Sequence, residues 1–267
     1  MQKTLLALSI LSFAAAASAA PDSQETPLHP IKDGRYTVTT GYEHLNSKVN
    51  VIKQSSDGFV LRGRADIPLA QQHAIRAELT YSRRSSDMKE NGVTTVDGGK
   101  SDGIDLYAGY LYSPSGFKQG GLRVGGGLGY GYTDSNARAH RTVHAPNAVD
   151  HNSSSLYLKA QVEYEQDLGG GWSITPWGEA TVSVRRREET KWSQAFAVPD
   201  ETHKNSSYGL GLGVDVQKQF TPNLALTFGP YYQYEHYKTH ARDHVGGHID
   251  SSTSHGHNFG IRAGLRF

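Results

Sequence analysis

The sequence predicts an all-β fold: a ten-stranded antiparallel β-barrel that crosses a membrane, with five long extracellular loops and short periplasmic turns. Three observations predict it. The chain begins with an export signal, its body alternates apolar and polar residues in ten segments, and the connections between these segments are alternately short and long. Together they indicate an exported sheet protein whose strands face lipid on one side.

The first twenty residues have the pattern of a secretory signal peptide. Lys3 precedes an apolar run at 5–13, and Ala17-Ser18-Ala19 offers a small-residue cleavage site. A membrane-spanning helix would need roughly 18 or more apolar residues. We therefore expect a signal peptide at 1–20, a flexible periplasmic lead at 21–34 and the barrel at 35–267.

Composition excludes several classes of protein. Removing Lys3 from the 27 basic residues leaves 26 against 26 acidic residues, so the mature chain has no basic excess that would draw it to nucleic acid. Cysteine is absent, so an exported fold must close itself by backbone pairing and not by disulfides. We expect no nucleic-acid partner and no cofactor.

Ten segments carry an apolar residue at every second position, which is the period of a β-strand with one apolar face. They cover 36–42, 59–67, 75–81, 104–112, 122–132, 156–164, 174–184, 208–216, 224–234 and 259–267. Aromatic residues gather near the segment ends, as in the girdles of membrane barrels. A closed barrel is the sheet that leaves no unpaired edge in hydrocarbon, which favours this architecture.

The opposite phase of the same segments is polar and should face the lumen. It carries seven basic and eight acidic residues: Arg62, Arg64, Asp66, Arg76, Glu78, Asp105, Arg123, Lys159, Glu163, Glu165, Glu179, Asp215, Glu235, Arg262 and Arg266. A ten-stranded lumen is narrow, and unpaired buried charges are costly. We therefore expect a lumen plugged by ion pairs, with a small passive channel as the alternative, in a monomer.

Connection lengths predict the orientation. The short connections at 68–72, 114–120, 167–171 and 219–223 are rich in Pro, Gly and Asn, and the long ones fall at 46–57, 85–102, 133–153, 188–205 and 239–256. Membrane barrels place short turns in the periplasm and long loops outside. The expected location is the outer membrane of a Gram-negative bacterium, with the loops exposed.

Several blocks resemble the neisserial Opc adhesin family. They lie at 63–68, 104–110, 122–129, 171–177, 209–213, 229–232 and 259–267, in the same order over nearly the whole mature chain. The Pro176-Trp177 and Gly229-Pro230-Tyr231 sequences within strands are more specific than alternation requires. The blocks lie on strands and turns, while the loops depart most from the family.

The resemblance implies a ten-stranded outer-membrane adhesin and invasin. Family ligands include heparan-sulfate-type glycosaminoglycans, sialylated glycans and matrix proteins such as vitronectin, and the family's proposed site is a basic groove between the loops. Such a protein binds and does not catalyse. Ten-stranded outer-membrane proteases use acidic and histidine residues at the barrel mouth, and this chain has the pairs Asp150-His151 and Asp243-His244. Neighbours on a strand point to opposite faces, so neither pair could act together on a regular strand.

Basic residues near the predicted strand tops are the candidate ligand-binding residues, because arginine holds sulfate and carboxylate groups in bidentate fashion. If the loops fold inward over the mouth, these residues and one aromatic side chain would converge. They are Arg83, Arg84, Arg138, Arg141, Arg185, Arg186, Arg187, Lys191, Trp192, Lys204, Lys238 and Arg242.

Two other interpretations of the arginine triplet at 185–187 stay open. Glu188, Glu189, Asp200 and Glu201 follow it and could neutralise it, and strict alternation points Arg185 into the lumen. A basic belt could also hold phosphates of the surrounding outer-membrane lipids and lipopolysaccharide.

Histidines are frequent in the last loop. His236, His240, His244, His248, His255 and His257 could bind zinc or copper, or could sense pH. No carboxylate or thiol completes a fixed metal set, so no metal site is assigned. Protonation below about pH 6.5 would make the loops cationic and should strengthen binding to anionic glycans.

Overall fold

The computed structural model describes residues 33–49, 52–90, 92–117, 120–137, 149–191, 201–242 and 249–267. These residues form a closed antiparallel barrel in which each strand pairs with its neighbours in the chain and the first pairs with the last. The strands are β1 Arg35–Val49, β2 Ile52–Ala70, β3 His73–Glu90, β4 Val93–Tyr112, β5 Gly121–Ala137, β6 Val149–Gly169, β7 Trp172–Lys191, β8 Glu201–Thr221, β9 Leu224–Arg242 and β10 Ile249–Arg266. The predicted all-β, ten-stranded barrel is confirmed. No helix among the described residues is long and apolar enough to cross a membrane.

The first and last strands close the barrel. Their register runs from Thr37 opposite Arg266 to Val49 opposite Ser254. Tyr36 and Phe267 exchange two backbone hydrogen bonds of 2.8 Å, and their rings stack with centroids 6.2 Å apart. Every strand therefore has a partner on both sides, so none presents an edge to lipid.

Large apolar side chains point outward along all ten strands. Leu212 and Ile261 are 59% and 61% exposed, values that would be unusual for the core of a water-soluble sheet. Their exposure is expected where the solvent is lipid, and it confirms the assignment of the apolar phase to the outer face.

Inward-facing glycines make room for aromatic rings from neighbouring strands. A Cβ atom on Gly129 would overlap the ring of Tyr157, and one on Gly260 would overlap the ring of Tyr231. These rings lie across the glycines of the next strand and cover backbone that would otherwise be bare. The glycine content of the strands thus fits large rings into a narrow lumen.

The turns at one end are tight and fall within the predicted short connections, although β2, β6 and β8 each run three residues further than predicted. Between β6 and β7, Gly169, Gly170 and Gly171 all have positive φ angles, of 81°, 61° and 77°, which residues with a Cβ rarely adopt. In the β4–β5 turn, Phe117 folds inward onto Ala74 and Leu111 and forms a small apolar core.

The opposite end, here called the upper end, needs a correction to the predicted loop boundaries. β1 runs to Val49 and β2 begins at Ile52, so almost all of the predicted loop at 46–57 is strand. Likewise β3 continues to Glu90 and β4 begins at Val93. Above the lipid both faces of a strand are polar, so the apolar alternation ends while the backbone ladder continues.

Candidate ligand-binding surface at the upper end

An ion-pair network fills the middle of the lumen and forms the floor of the upper end. Arg76 is 2% exposed and donates to both oxygens of Asp66, at 2.6 and 2.8 Å, and of Glu163, at 2.9 and 3.0 Å. Lys159 contacts Glu78 at 2.5 Å. Fully paired charges can be tolerated in a low-dielectric interior, and the predicted ion pairing inside the barrel is confirmed.

The network continues toward the short turns at the lower end of the barrel. There the carboxylate of Glu165 forms ion pairs with the guanidinium groups of Arg35, at 2.7 Å, and Arg266, at 3.3 Å. It also pairs with Arg123. Arg35 stands at the first position of β1, so the strand that closes the barrel is joined to β6 across the lumen.

Above the network lies a polar cavity of about 350 Å³ that is partly open to the outside. Hydroxyl groups from six strands line it, together with charged side chains and tyrosines. The lining hydroxyl residues include Thr39, Thr80, Ser82, Thr133, Ser153, Ser155, Thr181, Ser183 and Ser207. We call this space the mouth cavity. Hydroxyl groups can both donate and accept hydrogen bonds, which suits a wall that contacts a sugar.

Arg84 and Glu43 form one charged wall of the mouth cavity. Two guanidinium nitrogens of Arg84 lie 2.7 and 2.6 Å from Oε1 of Glu43. Tyr231 and Asn258 donate to the other carboxylate oxygen at 3.0 and 2.9 Å. Arg84 was a predicted ligand residue, and Glu43 was missed. The signal was present, because Glu43 follows the outward-facing Tyr42 and so has the inward phase.

Arg186 forms the other charged wall, and here strict alternation was wrong. It predicted Arg185 inside, but Arg186 lines the cavity and Arg185 is exposed. β7 contains a β-bulge: Leu156 of β6 lies opposite Arg185 and the next residue, Tyr157, opposite Ser183, so Val184 is an extra residue. Each bulge shifts the alternation by one position.

Contacts hold Arg186 in the mouth cavity. Its Nε donates to Glu188 at 3.0 Å, and its guanidinium lies over the ring of Tyr237 with Cζ 4.1 Å from the centroid. Its two terminal nitrogens have no hydrogen-bond acceptor among the residues that the structure describes. They are therefore available to an anionic group that enters the cavity.

The other described candidates face away from the mouth cavity. Arg83, Arg185, Arg187 and Lys238 are exposed on the outer wall of the barrel. Arg83 lies 3.8 Å from Asp102, a weak surface pair. The twelve predicted residues thus do not share one face, since Arg84 and Arg186 face inward and these four face outward.

The side chains of the other six candidates are not among those described. Arg138, Arg141 and Trp192 lie outside the described residues. Lys191, Lys204 and Arg242 stand at the upper ends of β7, β8 and β9, where only the backbone is described.

The described histidines of the last two strands lie on the outer wall. His236 stacks on Tyr208 with centroids 4.7 Å apart, and its Nδ1 is 3.2 Å from Nδ1 of His255. His257 Nδ1 and the hydroxyl of Tyr232 are 2.7 Å apart. In the described part of the chain no three His, Asp or Glu side chains form a metal-ligand group.

Of the other predicted histidines, the backbone of His240 belongs to β9, and His244 and His248 fall outside the described residues.

Solved membrane barrels share this architecture. The translocator domain of the autotransporter NalP from Neisseria meningitidis is 13% identical, with 100% of this chain and 97% of that chain covered and a TM-score of 0.53. The outer-membrane protease OmpT from Escherichia coli is also 13% identical, with 92% and 99% covered and a TM-score of 0.56. At this identity the likeness shows the fold alone. No curated protein sequence matches the chain.

A family model decides the relationship. The model for "Outer membrane protein OpcA" matches residues 31–267, which includes all ten strands. The predicted resemblance to the neisserial Opc family and the predicted location in the outer membrane are both confirmed. Because outer-membrane barrels keep their short turns in the periplasm, we assign the upper end as the extracellular end. The chain belongs to the OpcA family of outer-membrane proteins.

Proposed function

We propose that this protein is an adhesin and invasin that binds anionic host glycans, either heparan-sulfate-like or sialylated, at the extracellular end of its barrel. Matrix proteins such as vitronectin are the other class of partner that the family resemblance implies. The observation that carries the proposal is the placement of Arg186 in a hydroxyl-lined cavity, where its terminal guanidinium nitrogens have no acceptor among the described side chains.

The chemistry of the mouth cavity suits an acidic sugar. A guanidinium can hold a carboxylate or sulfate through two parallel hydrogen bonds, and such charge-assisted bonds are among the stronger ones in proteins. Serine and threonine hydroxyls around the cavity can exchange hydrogen bonds with sugar hydroxyls. The volume of about 350 Å³ lies at the lower end of the range for small-ligand sites, so it would admit a terminal or single sugar unit.

We assign the protein a binding role and not a catalytic one. The carboxylate of Glu43 accepts hydrogen bonds from Arg84, Tyr231 and Asn258, which hold it in place as an acceptor. General acid or base catalysis would need a carboxyl group that can exchange its proton with a substrate. Glu43 is instead suited to orienting Arg84.

A binding assay with single-residue variants tests the proposal. The refolded barrel is applied to an array of heparin, desulfated heparin, sialylated and asialo glycans, and vitronectin. Arg186→Ala should weaken binding to the sulfated or sialylated probes by about tenfold or more, because a hydrogen bond to a charged group is worth roughly 1.5–3 kcal/mol. Heat-modified electrophoretic mobility confirms that each variant is folded.

The matched control removes two positive charges beside Arg186 that face the other way. Arg185→Ala combined with Arg187→Ala should leave glycan binding within about twofold, because these side chains are exposed outside the cavity, where salt screens their charges. If Arg186→Ala binds as the parent does, or if the control loses as much binding, the mouth cavity is not the glycan site.

A further inference from the structure

Three cations form a compact patch on the outer wall of the barrel. Arg185 and Arg187 belong to β7 and Lys238 to β9, and all three are exposed. We call them the lateral basic patch. They do not line the mouth cavity, so the proposed glycan site leaves them without a role.

The β-bulge in β7 creates this patch. Val184, the extra residue, is 60% exposed, and Arg185 immediately after it is exposed as well. On the other side of the bulge, Ser183 Oγ accepts a hydrogen bond of 2.7 Å from the backbone amide of Ser207 on β8, where the ladder between the strands is interrupted. The bulge is thus supported by its own hydrogen bond and places one arginine outside and the next inside.

The patch lies directly above the lipid-facing surface. Val182 and Val184 on β7 are 51% and 60% exposed, and Tyr208 on β8 is 46% exposed. Arg185 follows Val184 in sequence, and Lys238 lies opposite Ser206, two residues above Tyr208. The patch is therefore the first charged layer above the apolar band on this side, which is the height of lipid headgroups.

The charges of the patch are not neutralised by described neighbours. None of the three forms an ion pair with a residue that the structure describes. On the opposite side of the outer wall, the exposed Arg83 stands 3.8 Å from the carboxylate of Asp102. The lateral basic patch has no such carboxylate partner among the described residues, so an external anionic group suits it.

We propose that the lateral basic patch binds the phosphate groups of the outer-leaflet glycolipid, lipopolysaccharide. Guanidinium groups bind phosphate in bidentate fashion, and lysine binds it as a point charge. Neighbouring strands lie about 4.8 Å apart, so β7 and β9 are about 10 Å apart, a separation that the long side chains of arginine and lysine can bridge. The patch would hold one glycolipid headgroup against β7–β9.

The test measures how added lipopolysaccharide raises the temperature at which the detergent-solubilised barrel loses its folded electrophoretic mobility. The probes are purified lipopolysaccharide, the same material after dephosphorylation, and phosphatidylglycerol. Lipopolysaccharide should protect the parent protein, and the other two should protect it at least about tenfold less effectively. Dephosphorylated material lacks the groups that the cations bind, and phosphatidylglycerol offers one phosphate to three cations instead of several on one headgroup. The variant carries Arg185→Ala, Arg187→Ala and Lys238→Ala.

In this triple variant the lipopolysaccharide concentration for half-maximal protection should rise on the order of 100-fold, given about fivefold per basic residue near a membrane surface. The matched control is Lys48→Ala, Lys53→Ala and Lys89→Ala, which removes three exposed lysines that face one another across β1–β3. On β2, Lys53 stands six residues beyond Phe59, roughly 20 Å further along the strand and above the headgroup layer.

The site is supported if lipopolysaccharide still protects the control variant at positions 48, 53 and 89 but no longer protects the patch variant at positions 185, 187 and 238. Three outcomes would each overturn the proposal. Both triple variants lose protection equally, the patch variant is protected as well as the parent, or dephosphorylated material or phosphatidylglycerol protects the parent as well as lipopolysaccharide does. Every variant is first shown to be folded without added lipid. Because glycan binding is not measured here, failure of this test leaves the mouth cavity proposal intact, and the reverse also holds.

Discussion

Arg76 shows how single residues stabilise this barrel. It is almost fully buried, and it satisfies two carboxylates that approach from different strands, Asp66 on β2 and Glu163 on β6. Removing it would leave both carboxylates in the lumen without their main partner. The cost of breaking a buried ion pair comes mainly from the charge that is left behind.

We therefore expect Arg76→Ala to lower the free energy of unfolding by about 3–5 kcal/mol. Urea titration of the barrel in lipid vesicles, followed by tryptophan fluorescence, measures this change. Arg83→Ala is the control, because the Arg83 side chain is 60% exposed and lies 3.8 Å from Asp102. It should cost no more than about 1 kcal/mol. Similar losses in the two variants would mean that the lumen network does not stabilise the fold.

At the same scale, the sequence predicted which charges enter the lumen but not how they pair. Alternation placed Arg76 and Glu163 on the inner face, and both are there. Their sequence separation is 87 residues, and which charges meet depends on the tilt and stagger of the strands. Pairing across a barrel is a property of the closed sheet and has no local signal.

The bulge in β7 is the feature at the scale of the strand that changes the site most. It reverses the facing of Arg185 and Arg186 relative to strict alternation, and so separates an inward cation from an outward one. The sequence Val184-Arg185-Arg186-Arg187 contains no glycine or proline that would mark a bulge. The upper ends of the strands were also not predicted, because strands above the membrane are polar on both faces and so lack the apolar alternation.

Cysteine labelling tests the bulge directly, since the natural chain has no cysteine. A fluorophore attached to Arg185→Cys or Arg187→Cys should be quenched by lipids that carry a spin label in the headgroup. The same fluorophore on Arg186→Cys should be protected, because that position faces the mouth cavity.

Two further positions calibrate the measurement. A fluorophore on Val184→Cys should be quenched strongly, because Val184 lies on the outer wall. One on Ser183→Cys should be quenched weakly, because Ser183 lines the mouth cavity. Quenching at 186 together with protection at 185 would show a regular strand without a bulge, and would remove the basis for both proposed sites.

For the whole molecule, the network divides the lumen into two separate spaces. The mouth cavity opens outward, and a second cavity of about 800 Å³ opens at the periplasmic end near Arg35, Trp172 and Phe267. Between them, ion pairs from Lys159–Glu78 to Arg266–Glu165 cross the barrel. An ion would have to displace paired charges to pass, so the arrangement opposes the alternative that the protein is a small passive channel.

Single-channel recording in planar bilayers tests this closure. The parent protein should show no steady conductance in concentrated KCl, whereas an open trimeric porin inserted under the same conditions should conduct. Combining Arg76→Ala with Asp66→Ala removes one charge of each sign. Glu163, the other partner of Arg76, still has its ion pair with Arg123 at 3.0 Å and is not left unpaired. That variant should admit ions, because the removed side chains cross the lumen between the two cavities. Steady conductance of the parent that scales with salt concentration would instead support the channel. It would show that the ion-pair network does not close the lumen.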